Sequence, residues 1–447
     1  MLVAQKELEV RHQLLERLHE ARVRTDEIFQ MVRPDSLYER PIPERHRIIF
    51  YLGHLEAFDW NLLRERVLGL EAFDPESDKL FAFGIDPVNG TLPSDQPIDW
   101  PSAADARQYV KRIRERIDDG LEALESADWI STQAGTDFST KTLLHVAIEH
   151  RLMHAETLAY MLHQLPLDRK LRIQRKPELI VPPVSPTMIE IPAGRTTLGL
   201  PRRDQNTFGW DNEYEALTVD VPAFAIDKYK VTNGQFLDFV SAGGYENPAC
   251  WTEADWNWRT LHNIQHPVFW RRTGDRWYCR TMFDEIPLPL DWPVYVSQAE
   301  ATAYARWAGK ALPTEAQWHR AAYGTGSGSE RSFPWGATEP TPSKGNFDFR
   351  GWDPTPVGAF PEGESAFGVA DLLGNGWEWT GSKFEPFPGF ERFSFYPGYS
   401  ADFFDGKHYV MKGASPRTAA CMLRRSFRNW FQPHYQYVYA GFRCVNR

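Results

Sequence analysis

The sequence predicts two domains of different class: an N-terminal bundle of four helices, then a C-terminal α+β domain with little regular structure. Three observations predict it. Up to about residue 165, apolar residues recur at helical spacing in long runs. Residues 166–187, P-L-D-R-K-L-R-I-Q-R-K-P-E-L-I-V-P-P-V-S-P-T, are basic and proline-rich, the composition of a linker. From 188 to 447 the texture changes to Gly, Pro, Trp and short β-prone runs. A chain of 447 residues is also longer than one hydrophobic core usually serves.

Taken in order, the first helix is expected over about 4–32, where Leu, Val and Ile keep helical spacing. The second covers 44–68, following P-I-P and ending near V-L-G-L. The third runs over 103–127, after Pro101-Ser102 with its N-cap chemistry, and the fourth over 138–164, capped by Ser139 or Thr140. Mostly short joins suit an up-down bundle. The exception joins the second and third helices through about thirty residues rich in Asp, Pro and Gly, and joins of that length are usually functional or disordered. Beyond the linker, helices are expected at 297–308, with Ser297 as cap and Gly309 as terminator, and at 314–323.

Composition excludes several classes. Apolar residues make up 42% and charged residues 25%, a soluble globular balance. A net charge of -10 argues against a nucleic-acid surface. No apolar run approaches the ~18 residues of a membrane span. The start, M-L-V-A-Q-K-E-L-E-V, lacks signal-peptide character. Cys250, Cys279, Cys421 and Cys444 follow no disulfide or zinc spacing, so a reduced, cytoplasmic location is expected. The 17 tryptophans, mostly in the C-terminal half, are expected as core and pocket walls.

The chemistry concentrates on histidines. His150 and His154 stand four apart in H-R-L-M-H-A-E and so share one helix face. His54, in Y-L-G-H-L-E-A-F-D-W, lies among Phe50, Tyr51, Phe58 and Leu62 and should point into the bundle. Buried imidazoles without partners are costly. A metal ion held by all three, with its other positions open, resolves that cost, and both zinc and iron(II) fit three neutral imidazoles. Glu156 is expected to orient a ligand ring. His46, His145 and His163 are expected to be structural.

The C-terminal half carries a series of distinctive words. They are I-P-A-G (191–194), D-K-Y-K-V-T-N-G-Q-F (227–236), P-V-Y-V-S-Q-A-E-A-T-A-Y-A-R-W (293–307), L-P-T-E-A-Q-W-H-R-A-A (312–322), G-V-A-D-L-L-G-N-G-W-E-W-T (368–380) and G-F-R-C (441–444). The series resembles the formylglycine-generating-enzyme fold, a C-type-lectin-like module, over 188–447. The paired cysteines of the active formylglycine generators are absent, since Cys421 and Cys444 lie too far apart. The N-terminal half, residues 1–165, resembles a DinB-like bundle. The combination, with H-x-x-x-H-x-E, resembles the ergothioneine-pathway sulfoxide synthases.

That resemblance implies a non-haem iron(II), O2-dependent enzyme that joins a donor to imidazole C2 of hercynine (Nα-trimethylhistidine), with His54, His150 and His154 as iron ligands. It implies Tyr396 as the phenol that delivers a proton or hydrogen atom, with Tyr399 one step later. In R-R-S-F-R-N-W-F-Q-P-H (424–434) it places Asn429 at a hercynine contact. Trp430, Phe395 and neighbouring rings then suit a trimethylammonium group. The family members that use γ-glutamylcysteine carry an acidic residue where Phe431 stands, and arginines in the loop after the second helix, whereas residues 69–100 hold Lys79 and no arginine. A dianionic peptide donor would lack its charge partners. The expectation is therefore a selenosugar donor, as in the selenoneine synthase branch, with Asp402, Asp405 and Gln432 as hydroxyl-binding candidates. The alternatives are a thiol donor such as cysteine or γ-glutamylcysteine, a zinc DinB-type thiol transferase, and a non-catalytic binding protein.

Overall fold

Capping and periodicity explain most of the helical unit. In the computed structural model, residues 2–84, 92–125, 129, 138–172, 179, 181–204 and 207–446 are described. The chain divides into two units, 1–174 and 175–447. The first contains α1 (Leu2–Gln30), α2 (Ile48–Leu63), α3 (Pro75–Phe83), α4 (Ala103–Ala123) and α5 (Thr140–Gln164). Ser102 caps α4 by accepting from the Asp105 N–H, and Ser139, not Thr140, caps α5 by accepting from the Thr142 N–H. α4 buries Ala106, Tyr109, Ile113, Ile117 and Leu121, one stripe at helical spacing. α2 and α5 are buried on nearly every side, as befits central helices. α1 packs on α5, and α2 packs on α3, α4 and α5.

Three expectations need correction. The predicted second helix, 44–68, is shorter: the chain enters α2 from an extended Arg47, and the helix stops at Leu63. The predicted end of the third at 127 lies past Leu124, which is already extended; residues 126 and 127 fall outside the described ones. The four-helix reading also gains a fifth member, because the long join contains α3. Asp74 caps it by accepting from the Ser77 N–H, and Pro75 takes the first position, where no amide is needed. In addition, the head of the predicted linker belongs to the helical unit: the Leu171 N–H donates to Met31 O at 2.7 Å.

The second unit is built from short strands. β1 (Met188–Ile191) pairs antiparallel with β4 (Phe224–Asp227), and β2 (Gly194–Leu198) with β3 (Leu217–Val221). β5 (Trp270–Thr273), β6 (Arg276–Arg280) and β7 (Glu285–Pro287) form an antiparallel sheet. The largest sheet has the order β10-β9-β8-β11: β10 (Asn429–Phe431), β9 (Tyr409–Ala414) and β8 (Gly376–Lys383) are antiparallel, and β11 (Ala440–Gly441) lies parallel to β8. The two expected helices are present as α8 (Gln298–Trp307) and α9 (Glu315–Tyr323), both entered through capping boxes. Two more, α6 (Asn233–Ser241) and α7 (Glu253–Leu261), were not anticipated, although Thr232 and Gln235 form a capping box. Ile191, Phe224, Ile226, Trp318, Tyr323, Phe347, Leu372 and Val445 form the core between sheet and helices.

Glu330 ties this core to β2. It accepts from the Thr196 hydroxyl (2.7 Å) and the Thr197 N–H (3.0 Å), and it pairs with Arg425 (3.2 Å). Burial raises its carboxyl, but the His319 ring at 3.5 Å and hydrogen bonds from Thr196 and Thr197 outweigh this and hold it at about 2, against 4.5 unfolded. A depressed folded value stabilises above pH 4.5, and the contribution is lost as pH falls toward 2. The unfolding free energy should therefore exceed that of Glu330→Gln by about 2–3 kcal/mol at pH 7, and the gap should close between pH 4.5 and 2. Urea titration at a series of pH values checks this; a gap independent of pH would refute it. Among the described residues, no helix is long and apolar enough to cross a membrane.

Candidate metal centre

α2 supplies His54, and α5 supplies His150 and His154 one turn apart. One nitrogen from each ring lies within 4.8 Å of the others. Ring centroids are 5.3 Å apart for His54–His150, 4.9 Å for His54–His154 and 4.5 Å for His150–His154. Phe58 lies flat on His150 at 3.4 Å, Phe50 stacks on His54 at 4.6 Å, and Tyr51 flanks His154 at 5.6 Å.

Burial sets the protonation state. It pushes His54 down to about 4, and it drives His150 and His154 well below the ordinary histidine value, each reinforced by neighbouring histidines or arginines. Near neutral pH all three rings are uncharged and carry a lone pair, the form that ligates metal. The His154 Nδ1 is buried and has no hydrogen-bond partner. The His54 Nδ1 donates to the Phe81 carbonyl at 2.7 Å, because a carbonyl oxygen can only accept. Neutral nitrogen donors converging from two helices therefore fit a divalent ion such as iron(II) or zinc.

An ion network beside the trio was missed in the sequence. Arg151, fully buried, donates to Glu56 at 2.9 and 2.8 Å, to Asp59 at 2.5 Å and to the Leu55 carbonyl at 3.2 Å. Arg114 on α4 also reaches Glu56, at 2.8 Å, and spans to Asp26 on α1. Burial pushes both carboxyls up. For Glu56 the two arginines win and its pKa falls, whereas for Asp59 burial and the neighbouring Glu56 win and it rises. The network joins α2 to α5 one residue from His150 and two from His54. Its signal was available: Glu56 and Asp59 sit at i,i+3 on α2, and Arg151 directly follows a candidate ligand. Glu156, expected to orient a ligand ring, is buried on α5, and the Phe81 carbonyl orients the His54 ring.

In the second unit, Tyr399 lies flat on buried Trp210 at 3.9 Å. Tyr396 is 6.4 Å from Trp210 and 5.6 Å from Tyr399. Trp430, on β10, meets Tyr399 edge-on at 5.4 Å and stacks on Phe384 at 4.2 Å. One aromatic cluster thus holds Tyr396, Tyr399 and Trp430. Phe395 joins it at one remove, through Phe393, which lies 4.8 Å from Phe395 and 6.4 Å from Trp210. Phe431 belongs to a different stack, on Tyr435 at 5.0 Å. Asn429 begins β10, and its side-chain oxygen accepts from the Trp430 N–H at 2.8 Å. Burial and the charge of Asp211 hold the Tyr396 phenol up at about 12, so it stays protonated at neutral pH. Asp402 and Gln432 are exposed, and Asp405 is engaged in a local turn with the Lys407 N–H and His408. Trp210, central to the cluster, carried no sequence signal because 189 residues separate it from Tyr399.

Comparison with known proteins agrees with both halves. Residues 178–447 match the sulfatase-modifying factor enzyme 1-like domain, and residues 17–158 match the DinB superfamily. The chain is 44% identical over 238 residues to a hercynine oxygenase of Mycobacterium tuberculosis, covering 53% of this chain and 55% of that protein. It is 36% identical over 352 residues to a hercynine oxygenase of Mycolicibacterium thermoresistibile, covering 77% and 75%. It is 29% identical over 502 residues to ergothioneine biosynthesis protein 1 of Neurospora crassa, covering 93% and 55%. The matched region thus spans about half the length of the first and third of these relatives and three quarters of the second. With a DinB-like helical unit in front of a formylglycine-generating-enzyme-like unit, the chain belongs to the family of the hercynine oxygenases, the ergothioneine-pathway sulfoxide synthases.

Proposed function

We propose that this protein is an iron(II)- and O2-dependent enzyme that joins a selenosugar to imidazole C2 of hercynine, an activity of the selenoneine synthase type. The observation that carries the reading is the trio His54, His150 and His154, with ring nitrogens within 4.8 Å, in a chain whose relatives are named for hercynine. Held by these imidazoles, iron(II) would supply redox chemistry with O2 as oxidant. In the overall reaction the imidazole C2–H and the donor's Se–H bonds break, a C2–Se bond forms, and O2 takes up the two electrons and two protons released.

The remaining steps fall to the chain's own groups. Tyr396, protonated up to about 12, is the proposed proton donor. The faces of Trp430 and Tyr399, with Phe395, provide the quadrupole that attracts a trimethylammonium group. Asn429 offers both a donor and an acceptor to the substrate's carboxylate or imidazole edge. Phe431 contributes apolar surface where the γ-glutamylcysteine-using members have a charge. With no arginine in residues 69–100, a neutral donor fits better than a dianionic one. The second reading, C–S bond formation with cysteine or γ-glutamylcysteine, is favoured by the relative named ergothioneine biosynthesis protein 1.

The test is direct. Iron(II)-loaded protein is given hercynine, air and either a selenosugar, cysteine or γ-glutamylcysteine, and products are identified by mass. A C–Se product is expected to dominate, and turnover of the dipeptide alone would overturn the donor assignment. Tyr396→Phe should slow product formation about 100-fold with metal content unchanged. An unaltered rate would remove Tyr396 from the chemistry.

A further inference from the structure

We infer that α3 is a positioning element for the metal centre: its Phe81 carbonyl holds His54 in the tautomer whose Nε2 lone pair is available, and Gly53 is the residue that lets α3 come close enough. The inference rests on the metal-binding reading of the histidine trio.

The hydrogen bond fixes the tautomer. With the His54 Nδ1 at 2.7 Å from the Phe81 oxygen, the proton lies on Nδ1 and the lone pair on Nε2. The partner is well chosen. Phe81 lies in the last turn of α3, where backbone carbonyls lack a partner within the helix and the helix dipole is negative. The Leu80 carbonyl is taken by the Gly84 N–H, which closes the helix, and the Phe81 carbonyl is taken by His54. An acceptor on the distal ring nitrogen orients a ligating imidazole and raises its basicity.

α3 is seated firmly enough to do this. Buried Asp78 accepts from the Tyr109 hydroxyl at 2.7 Å and from the Trp60 indole N–H at 3.1 Å, which ties α3 to α4 and α2. The Phe81 ring is buried, stacked on Tyr109 at 5.3 Å and next to Trp100 at 6.4 Å. Against that ring stands Gly53, directly before His54 on α2. A Cβ at position 53 would stand 2.2–2.4 Å from three carbons of the Phe81 ring, a clash that this packing cannot hold. Glycine is the poorest helix former after proline, so its place mid-helix calls for a packing reason. The close approach of α3 supplies one.

The acceptor is backbone and the obstacle is a side chain, so the two can be separated by mutation. In the full chain, Gly53→Ala should push α3 away, replace the Nδ1–H signature of His54 in 15N NMR of the metal-free protein with a tautomer mixture, and weaken Co(II) binding 10- to 100-fold. Adding Phe81→Ala removes the ring and keeps the carbonyl. The double variant should regain the Nδ1–H tautomer and bind Co(II) within a few-fold of Phe81→Ala alone, although its melting temperature stays low. If Gly53→Ala does not fold, the double variant must by itself show that tautomer and that affinity. The inference is overturned if Gly53→Ala keeps the tautomer and its Co(II) affinity, or if the double variant binds no better than the single one, affinity then merely following stability. Failure of the wild type to bind Co(II) would sink the metal reading instead, and the NMR of the metal-free protein would still decide what orients His54.

Discussion

His150→Ala is expected to abolish stable metal binding and, with it, product formation, while the helical unit stays folded. Loss of an outer partner of a metal ligand typically costs 10- to 100-fold in affinity, and loss of the ligand itself must cost more. Removing His150 leaves two imidazoles, and it removes the ring on which Phe58 lies flat at 3.4 Å. The vacated volume should destabilise by about 1–3 kcal/mol, less than the stability of a typical domain. His145→Ala on the same helix is the control and should retain the metal. Metal content after gel filtration, a Co(II) titration and a thermal melt together decide the matter. Unchanged metal content in His150→Ala would show that the trio is not the site, and a collapse of the helical signal would show that the ring is structural.

Glu378→Gln should produce the largest loss of stability in the second unit. Glu378, on β8, accepts from Arg443 at 2.6 and 2.8 Å, from the Trp318 indole N–H at 2.9 Å and from Lys230 at 3.0 Å. Glu378, Arg443 and Lys230 side chains are all 0% exposed. Burial raises the Glu378 carboxyl, but the two cations outweigh it and hold it down, whereas burial lowers the Lys230 ammonium against the pull of Glu378. One carboxylate thus stands between two buried cations. Glutamine keeps the shape and removes the charge, leaving two buried cations with only the Asp371 carboxylate to balance them. Breaking such a cluster costs about 3–5 kcal/mol, a large share of the roughly 5–15 kcal/mol that holds a typical domain together. By contrast, the more exposed pair Arg271–Glu285 should contribute less than about 1 kcal/mol. A urea midpoint shift worth under 1 kcal/mol for Glu378→Gln would mean that water or rearrangement screens the cluster.

Local pattern carried much of this protein. The change of texture after residue 187 separates a helical from a strand-and-loop region. Ser102, Ser139, Ser297 and Thr314 start their helices as their hydroxyls require. His150 and His154 share a face because they are four apart, and the apolar neighbours of His54 turn it inward. What orients these groups was decided elsewhere. α3 is nine residues long inside an Asp- and Pro-rich join, too short for periodicity to reveal. Its carbonyl reaches a ring 27 positions away, Arg151 meets Glu56 across 95, and Trp210 meets Tyr399 across 189. Backbone propensity and side-chain period act over one or two turns, so they specify which face a residue occupies. The partner it finds there depends on how separated segments pack, and that is settled only when the whole core closes.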